Sequence, residues 1–166
     1  QVANAILGHE RDTLAPPNTA QTRINALVEL MKTETAGGER LIDNPIYKDR
    51  LMKIQGRVLA MKYNDMRVLS SRLNPGQDAS LSRMITKLQG TELRHELEGL
   101  AIDIMGEVGL SYDDNPHLRG AGSWQREYMY YLGLIIGGGT SQIQKNIISE
   151  RGLGMPREPK IEKKAV

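Results

Sequence analysis

Residues 78–109, DASLSRMITKLQGTELRHELEGLAIDIMGEVG, decide how this chain folds. Leu81, Met84, Ile85, Leu88, Leu93, Leu97, Leu100, Ile104, Met105 and Val108 recur with the spacing that gathers side chains on one side of an α-helix. A helix starting near Asp78 or Ser80 and reaching Gly109 must bury that apolar side against other helices, and the flanking sequence supplies them.

Upstream, Asn44-Pro45 predicts a helix start, an N-cap residue followed by proline in the first turn. Leu51, Ile54, Val58 and Met61 form one stripe of that helix and Met52, Leu59, Tyr63 and Met66 an adjoining one, so it is expected to touch two neighbours before Asn74-Pro75-Gly76 stops it. Before it, Asn18 or Thr19 caps a helix carrying Ile24, Leu27, Val28, Leu30 and Met31 that ends near Gly37-Gly38. The opening QVANAILGHERDTL reads as a further helix up to Pro16-Pro17, with Glu10 on its inner stripe. Downstream, Tyr112 to Gly122 is loop, and SWQREYMYYLGLII places Trp124, Tyr128 and Tyr131 on one helical face, where core packing is the expected role. A last helix follows Gly137 to Gly139. It carries Ile143, Ile147 and Ile148, has Ser141 and Gln144 spaced as a capping box, and ends by Gly152, Gly154 and Pro156. No strand pattern competes anywhere, so the expected class is all-α, an up-and-down antiparallel bundle over residues 1–156 with a charged tail at 157–166.

A chain of 166 residues supports one domain. With 22 Lys and Arg against 20 Asp and Glu, the net charge of +2 points to neither nucleic acid nor an anionic membrane. The absence of cysteine removes disulfides, thiolate nucleophiles and Cys-based zinc sites and fits a reducing compartment, which makes a cytoplasmic location the expectation. No apolar run has the length of a membrane span, and the layout of a signal peptide is missing. Because apolar periodicity begins at once after Gln1, the chain reads as part of a longer protein.

The stretch with most to say about function is IIGGGTSQIQKNIISERGLGMP, residues 135–156. Glycines running into Thr140 and Ser141 at the start of a helix make either a capped hinge or a cradle for a polar ligand, because glycine permits close approach and the first amides of a helix are unpaired. The string lacks the Lys-Ser/Thr ending of a phosphate loop and follows no strand, so it is neither a Walker loop nor a dinucleotide fingerprint. Glu92-Leu93-Arg94-His95 has the Glu-x-x-His spacing of di-iron bundles, but neither His9 nor His117 supplies the second half, so no metal is expected and a solvated or salt-bridged face is the simpler reading. Glu10 is either paired with a cation such as Arg11 or placed for chemistry, since an unpaired buried carboxylate is costly.

GGGTSQIQKNIISERGLGMPRE, residues 137–158, resembles the C-terminal signature of flavin-dependent acyl-CoA dehydrogenases, in which a Gly-Thr turn opens a helix and Glu-Arg-x-Leu-Gly-x-Pro-Arg follows. VANAILGHER resembles the first helix of that domain and KLQGTELRHEL, residues 87–97, its third long helix. The resemblance implies the helical C-terminal domain of an FAD enzyme that dehydrogenates an acyl-CoA thioester between its α and β carbons and passes electrons to an acceptor. It further implies a homo- or hetero-oligomer and an isolated segment without activity.

Most members carry the catalytic glutamate directly before Gly-Thr, where this chain has Gly138. Others carry it in a Glu-Arg pair on the first helix, so the resemblance assigns Glu10 as the base and Arg11 to the substrate pocket. It assigns the Gly139 backbone to the thioester, and Thr140 and Gln142 to FAD. Two family motifs are missing. TETAGGER, residues 33–40, stands in the region of Arg-x-x-Phe-Gly, and IDIMGEVG, residues 102–109, in that of Gln-x-x-Gly-Gly. These departures raise a second reading, a catalytically silent helical partner in a heteromeric dehydrogenase.

Overall fold

A computed structural model describes residues 17–74, 76–112, 115–157 and 159. The expected first helix, with Glu10 and Arg11, lies outside the described residues, as does most of the charged tail. Five α-helices follow in order: α1 (Pro17–Thr33), α2 (Pro45–Leu73), α3 (Ser80–Met105), α4 (Ser123–Ile136) and α5 (Ser141–Ile147).

The side-chain links between helices fix their directions. Arg50 reaches Asp103, Arg57 reaches Glu96 and Asn64 reaches Ser82 and Thr86, so residue numbers fall on α3 as they rise on α2. The two are antiparallel. Thr19 and Arg23 of α1 meet Arg94 and Glu98 in rising order, which makes α1 parallel to α3. Lys87 reaches Ile135 and Arg94 reaches Glu127, so α4 returns antiparallel. This is the expected up-and-down bundle. α3 runs through its centre, with Leu93, Leu97, Leu100 and Ala101 buried against Ile24, Leu27 and Met31 of α1 and Leu51, Ile54 and Val58 of α2. Each of the larger side chains among these stabilises the fold by about 1.5–3 kcal/mol relative to exposure.

The expected cap of α2 forms, whereas Asn18 and Thr19 lie inside α1 rather than capping it. Asn44 Oδ1 accepts from the amides of Ile46 and Tyr47, and Pro45 fills the first turn of α2. Asp78 accepts from the Ser80 amide and hydroxyl, bonds that lower its carboxyl pKa. Trp124 and Tyr131 are core residues, as read from their spacing.

Four other expectations change. The second predicted helix (α1) ends at Thr33 rather than near Gly37-Gly38. TETAGGER contains a short antiparallel hairpin instead, β1 (Thr35–Ala36) pairing with β2 (Glu39–Arg40). Gly37 and Gly38 both have positive φ, the geometry a two-residue hairpin turn demands, and their glycines decided against helix. α3 stops one turn early, where Gly106 adopts a φ of 56° and a 3-10 turn, Gly106–Leu110, takes over. The adjoining stripe of α2 finds no second neighbour among the described residues: Met52, Leu59, Tyr63 and Met66 are each about half exposed.

Gly109 is the tightest point of that turn. A Cβ there would sit 2.3 Å from the Ile102 carbonyl oxygen, a backbone atom that cannot swing aside. Gly109→Ala is therefore expected to lower stability by about 1–3 kcal/mol. An unchanged denaturation midpoint would show that the turn relaxes freely.

Candidate functional site

The glycine turn joins α4 to α5. The Gly137 amide still closes α4 by donating to the Gly133 carbonyl, and then the backbone enters left-handed space, with φ of 64° at Gly138 and 103° at Gly139. Side chains other than glycine are strained there. Glycine at position 138 suits that geometry. At Gly139 a Cβ would also lie 2.7 Å from Nε2 of Gln144, the far end of a side chain, so the backbone conformation is the stronger demand for glycine there.

Thr140 is the N-cap of α5, its Oγ1 accepting from the Ile143 amide at 3.4 Å. The capping box expected on Ser141 and Gln144 is thus displaced by one residue. Ser141 is buried with its hydroxyl unpartnered, and Gln144 turns back so that Nε2 donates to the Gly138 carbonyl at 2.9 Å. Among the described residues, the amides of Gly139, Thr140, Ser141 and Gln142 have no acceptor. Gln142 and Ile143 are exposed beside them, and the buried face of α5 is formed by Ser141 and Gln144 rather than by Ile143.

Beneath the turn lies a residue that periodicity alone did not flag. Lys87 of α3 is 1% exposed, and its ammonium donates to the Ile135 carbonyl at 2.9 Å and the Gly139 carbonyl at 2.6 Å. It begins a polar stripe, Lys87, Thr91, Arg94 and Glu98, that is buried along its whole length. The steps of four, three and four were visible in the sequence, but the interleaved leucines drew the apolar face instead. Glu98, fully buried, accepts from Arg23 and from Arg94 at 3.0 Å, while Arg94 also donates to Thr19 and Glu127. Arg23 lies 3.7 Å from the centre of the Trp124 ring, and Arg94 4.4 Å from that of Tyr131. Burial raises the Tyr131 hydroxyl pKa, with the Arg94 charge opposing it. The Glu92 to His95 face is accordingly not simply solvated: Arg94 is interior, and His95 packs edge-on against Tyr128 with its pKa lowered by burial.

Of the residues implied by resemblance, Gly139, Thr140 and Gln142 lie together where the turn enters α5, and Glu10 and Arg11 lie outside the described residues. A family model described as "Acyl-CoA dehydrogenase, C-terminal domain" matches residues 1–153. The chain belongs to the acyl-CoA dehydrogenase family. It is 32% identical over 164 residues to "Acyl-CoA dehydrogenase IpdE1" of Mycobacterium tuberculosis, covering 96% of this chain and 39% of that protein. Similarity to "Acyl-CoA dehydrogenase FadE26" of the same organism is 30% over 155 residues, 91% of this chain and 38% of that one. The chain thus spans well under half the length of these relatives. Among solved structures, the ChsE4-ChsE5 complex from Mycobacterium tuberculosis superposes with a TM-score of 0.73 at 27% identity, covering 87% of this chain and 36% of that one. For this acyl-CoA dehydrogenase domain, the all-α fold read from periodicity is therefore also the fold of its relatives. No helix among the described residues is long and apolar enough to cross a membrane.

Proposed function

We propose that this domain forms one wall of the active site in an FAD-dependent enzyme that removes hydrogen from the α and β carbons of an acyl-CoA thioester. The observation that carries the reading is the turn itself: left-handed glycines at 138 and 139 bring a stretch of unpaired amides to the surface at the mouth of α5. Such amides suit the thioester carbonyl and the polar edge of a flavin. The donor set fits FAD. Thr140 spends its hydroxyl oxygen on the cap and keeps its proton to donate, and the exposed Gln142 amide carries both donor and acceptor. When bound, FAD supplies the chemistry of hydride acceptance from the β-carbon. In this reading Glu10 takes the α-proton, Arg11 orders the substrate pocket, and Gly139 presents its backbone to the thioester. An electron-transfer acceptor then reoxidises the cofactor.

The second reading, a non-catalytic subunit of a heteromeric dehydrogenase, has its own support. Gly138 stands where a base is usual, the ChsE4-ChsE5 relative is a complex of two differently named chains, and the exposed stripe of α2 offers an apolar face for assembly. Anaerobic mixing of the complete flavoprotein with acyl-CoA thioesters of varied chain and ring type separates the two. Loss of oxidised-flavin absorbance with at least one of them is the expected result. A protein that holds FAD and bleaches with none would favour the silent subunit. The segment 1–166 alone is expected to bind FAD weakly or not at all, so a stable yellow fragment would contradict the shared-site reading.

A further inference from the structure

Where α1, α3 and the start of α4 meet there is a cleft of about 470 Å³, lined in part by Arg23, Arg94, Ser123, Glu127, Tyr130 and Tyr131. Ser123 is the first residue of α4, whereas the glycine turn follows the last, so the two sites stand at opposite ends of that helix. The N-cap position before Ser123 is Gly122, which supplies no side-chain acceptor, and the first turn of α4 holds no acidic residue. The partial positive charge of that helix end is therefore unanswered by its own first turn.

The arginines of this cleft hold donors that the described residues do not use. Arg94 is 4% exposed, yet its Nε has no hydrogen-bond partner among the described residues, a costly state for a buried guanidinium. Its Nη1 donates to Thr19 at 2.7 Å, and its Nη2 is shared between Glu98 at 3.0 Å and Glu127 at 3.3 Å. Nε and Nη2 lie along one edge of the planar group, the edge on which a carboxylate makes two parallel bonds. Arg23 spends Nε and Nη2 on Glu98 and makes no bond through Nη1 among the described residues. Of the two carboxylates, Glu98 is fully buried, but Glu127 makes the longer bond and has 40% of its side chain exposed, so it can turn into solvent at little cost. With Glu127 withdrawn, two guanidiniums face a single carboxylate, and the cleft is short of one negative charge.

We propose that this cleft binds a small monocarboxylate, whose oxygens take the place of Glu127 on Arg94 Nη2 and reach the unused Nε, while its carbon body lies against the Tyr130 ring. Glu127 is the stand-in for the ligand's carboxylate when the cleft is empty. One charge is to be balanced, which favours a carboxylate over a phosphate dianion. The site is independent of the chemistry at the glycine turn.

The test titrates the complete protein with benzoate and with inorganic phosphate by isothermal calorimetry, and records the absorbance of any bound flavin alongside. Benzoate is expected to bind at one site per chain without altering the flavin spectrum. Glu127→Gln removes the competing charge and is expected to tighten benzoate by about tenfold, the scale of one charge-assisted hydrogen bond. Tyr130→Ala is expected to weaken it by about fivefold through loss of the ring contact. Glu127 and Tyr130 are both well exposed and Arg94 stays in place, so both variants are expected to fold, with melting temperature as the check. Four results would each overturn the proposal. They are no saturable binding of benzoate even to Glu127→Gln, an affinity that neither substitution moves, tighter binding of phosphate than of benzoate, and a flavin spectrum that shifts as benzoate binds, which would put the ligand at the cofactor instead.

Discussion

Glu98→Ala is expected to lower the stability of the bundle by about 3–5 kcal/mol. The carboxylate is fully buried and balances two guanidiniums, Arg94 with 5% of its side chain exposed and Arg23 with 19%. Removing it takes from Arg94 Nη2 its bond at 3.0 Å and leaves the guanidinium with Glu127 at 3.3 Å and Thr19 at 2.7 Å, beside an Nε that already lacks a partner among the described residues. It also releases Arg23 from α3, and with it one of the polar ties between α1 and the centre of the fold. The surface pair of Arg57 and Glu96 provides the contrast. Glu96 is about half exposed, and Glu96→Ala should cost only about 0–1 kcal/mol because solvent already screens the pair. Chemical denaturation followed by circular dichroism compares the two, and a Glu98→Ala loss no larger than that of Glu96→Ala would show that water reaches the network. The geometry makes a further point about specificity. Arg23 sits over Trp124 and Arg94 over Tyr131, so the ionic cluster also sets how α4 packs on α1 and α3. Glu98→Gln keeps the shape but points an amide donor or a single acceptor at two guanidiniums, and an intermediate loss is expected.

Glu10→Gln, made in the complete protein, is expected to slow flavin reduction by acyl-CoA by about 10²–10⁴-fold, the contribution of a positioned general base. The substitution preserves size and hydrogen-bonding reach, so FAD content and ligand affinity should change little. Stopped-flow absorbance at saturating substrate isolates the chemical step. A loss of less than about tenfold would place the base elsewhere and sink this assignment. The reason to expect it at Glu10 is twofold. The resemblance of residues 137–158 puts the family's usual base position at Gly138, and the backbone there has a φ of 64° that disfavours any residue with a Cβ. On the proposed dehydrogenase reading, proton abstraction then falls to another element, and Glu10-Arg11 is the pair the family resemblance offers.

Much of the fold was legible because helix formation and burial leave local traces. The leucine spacing of 78–109, the Asn44-Pro45 start and the ring spacing of Trp124 and Tyr131 each encode one local decision, and each appears in the structure. The hairpin at 35–40 was missed because Gly37-Gly38 can end a helix or turn a hairpin, and only the pairing of Thr35 with Arg40 distinguishes them. The cap of α5 was misplaced by one residue for a similar reason. Thr140 and Ser141 are both good caps; in the structure the Thr140 hydroxyl accepts from the Ile143 amide, while the Gln144 amide donates to the Thr140 carbonyl and its side chain to the Gly138 carbonyl.

By itself the sequence determined the helical class, the family signature and the glycines at 137–139, since these depend on residues close together along the chain. Only the tertiary structure decided that Lys87, about fifty residues before the turn, grips its carbonyls, and that Glu98 joins Arg23 to Arg94. Those links depend on which helix faces are brought together. A buried lysine and a solvated one have the same letter, and they differ only in what packs around them.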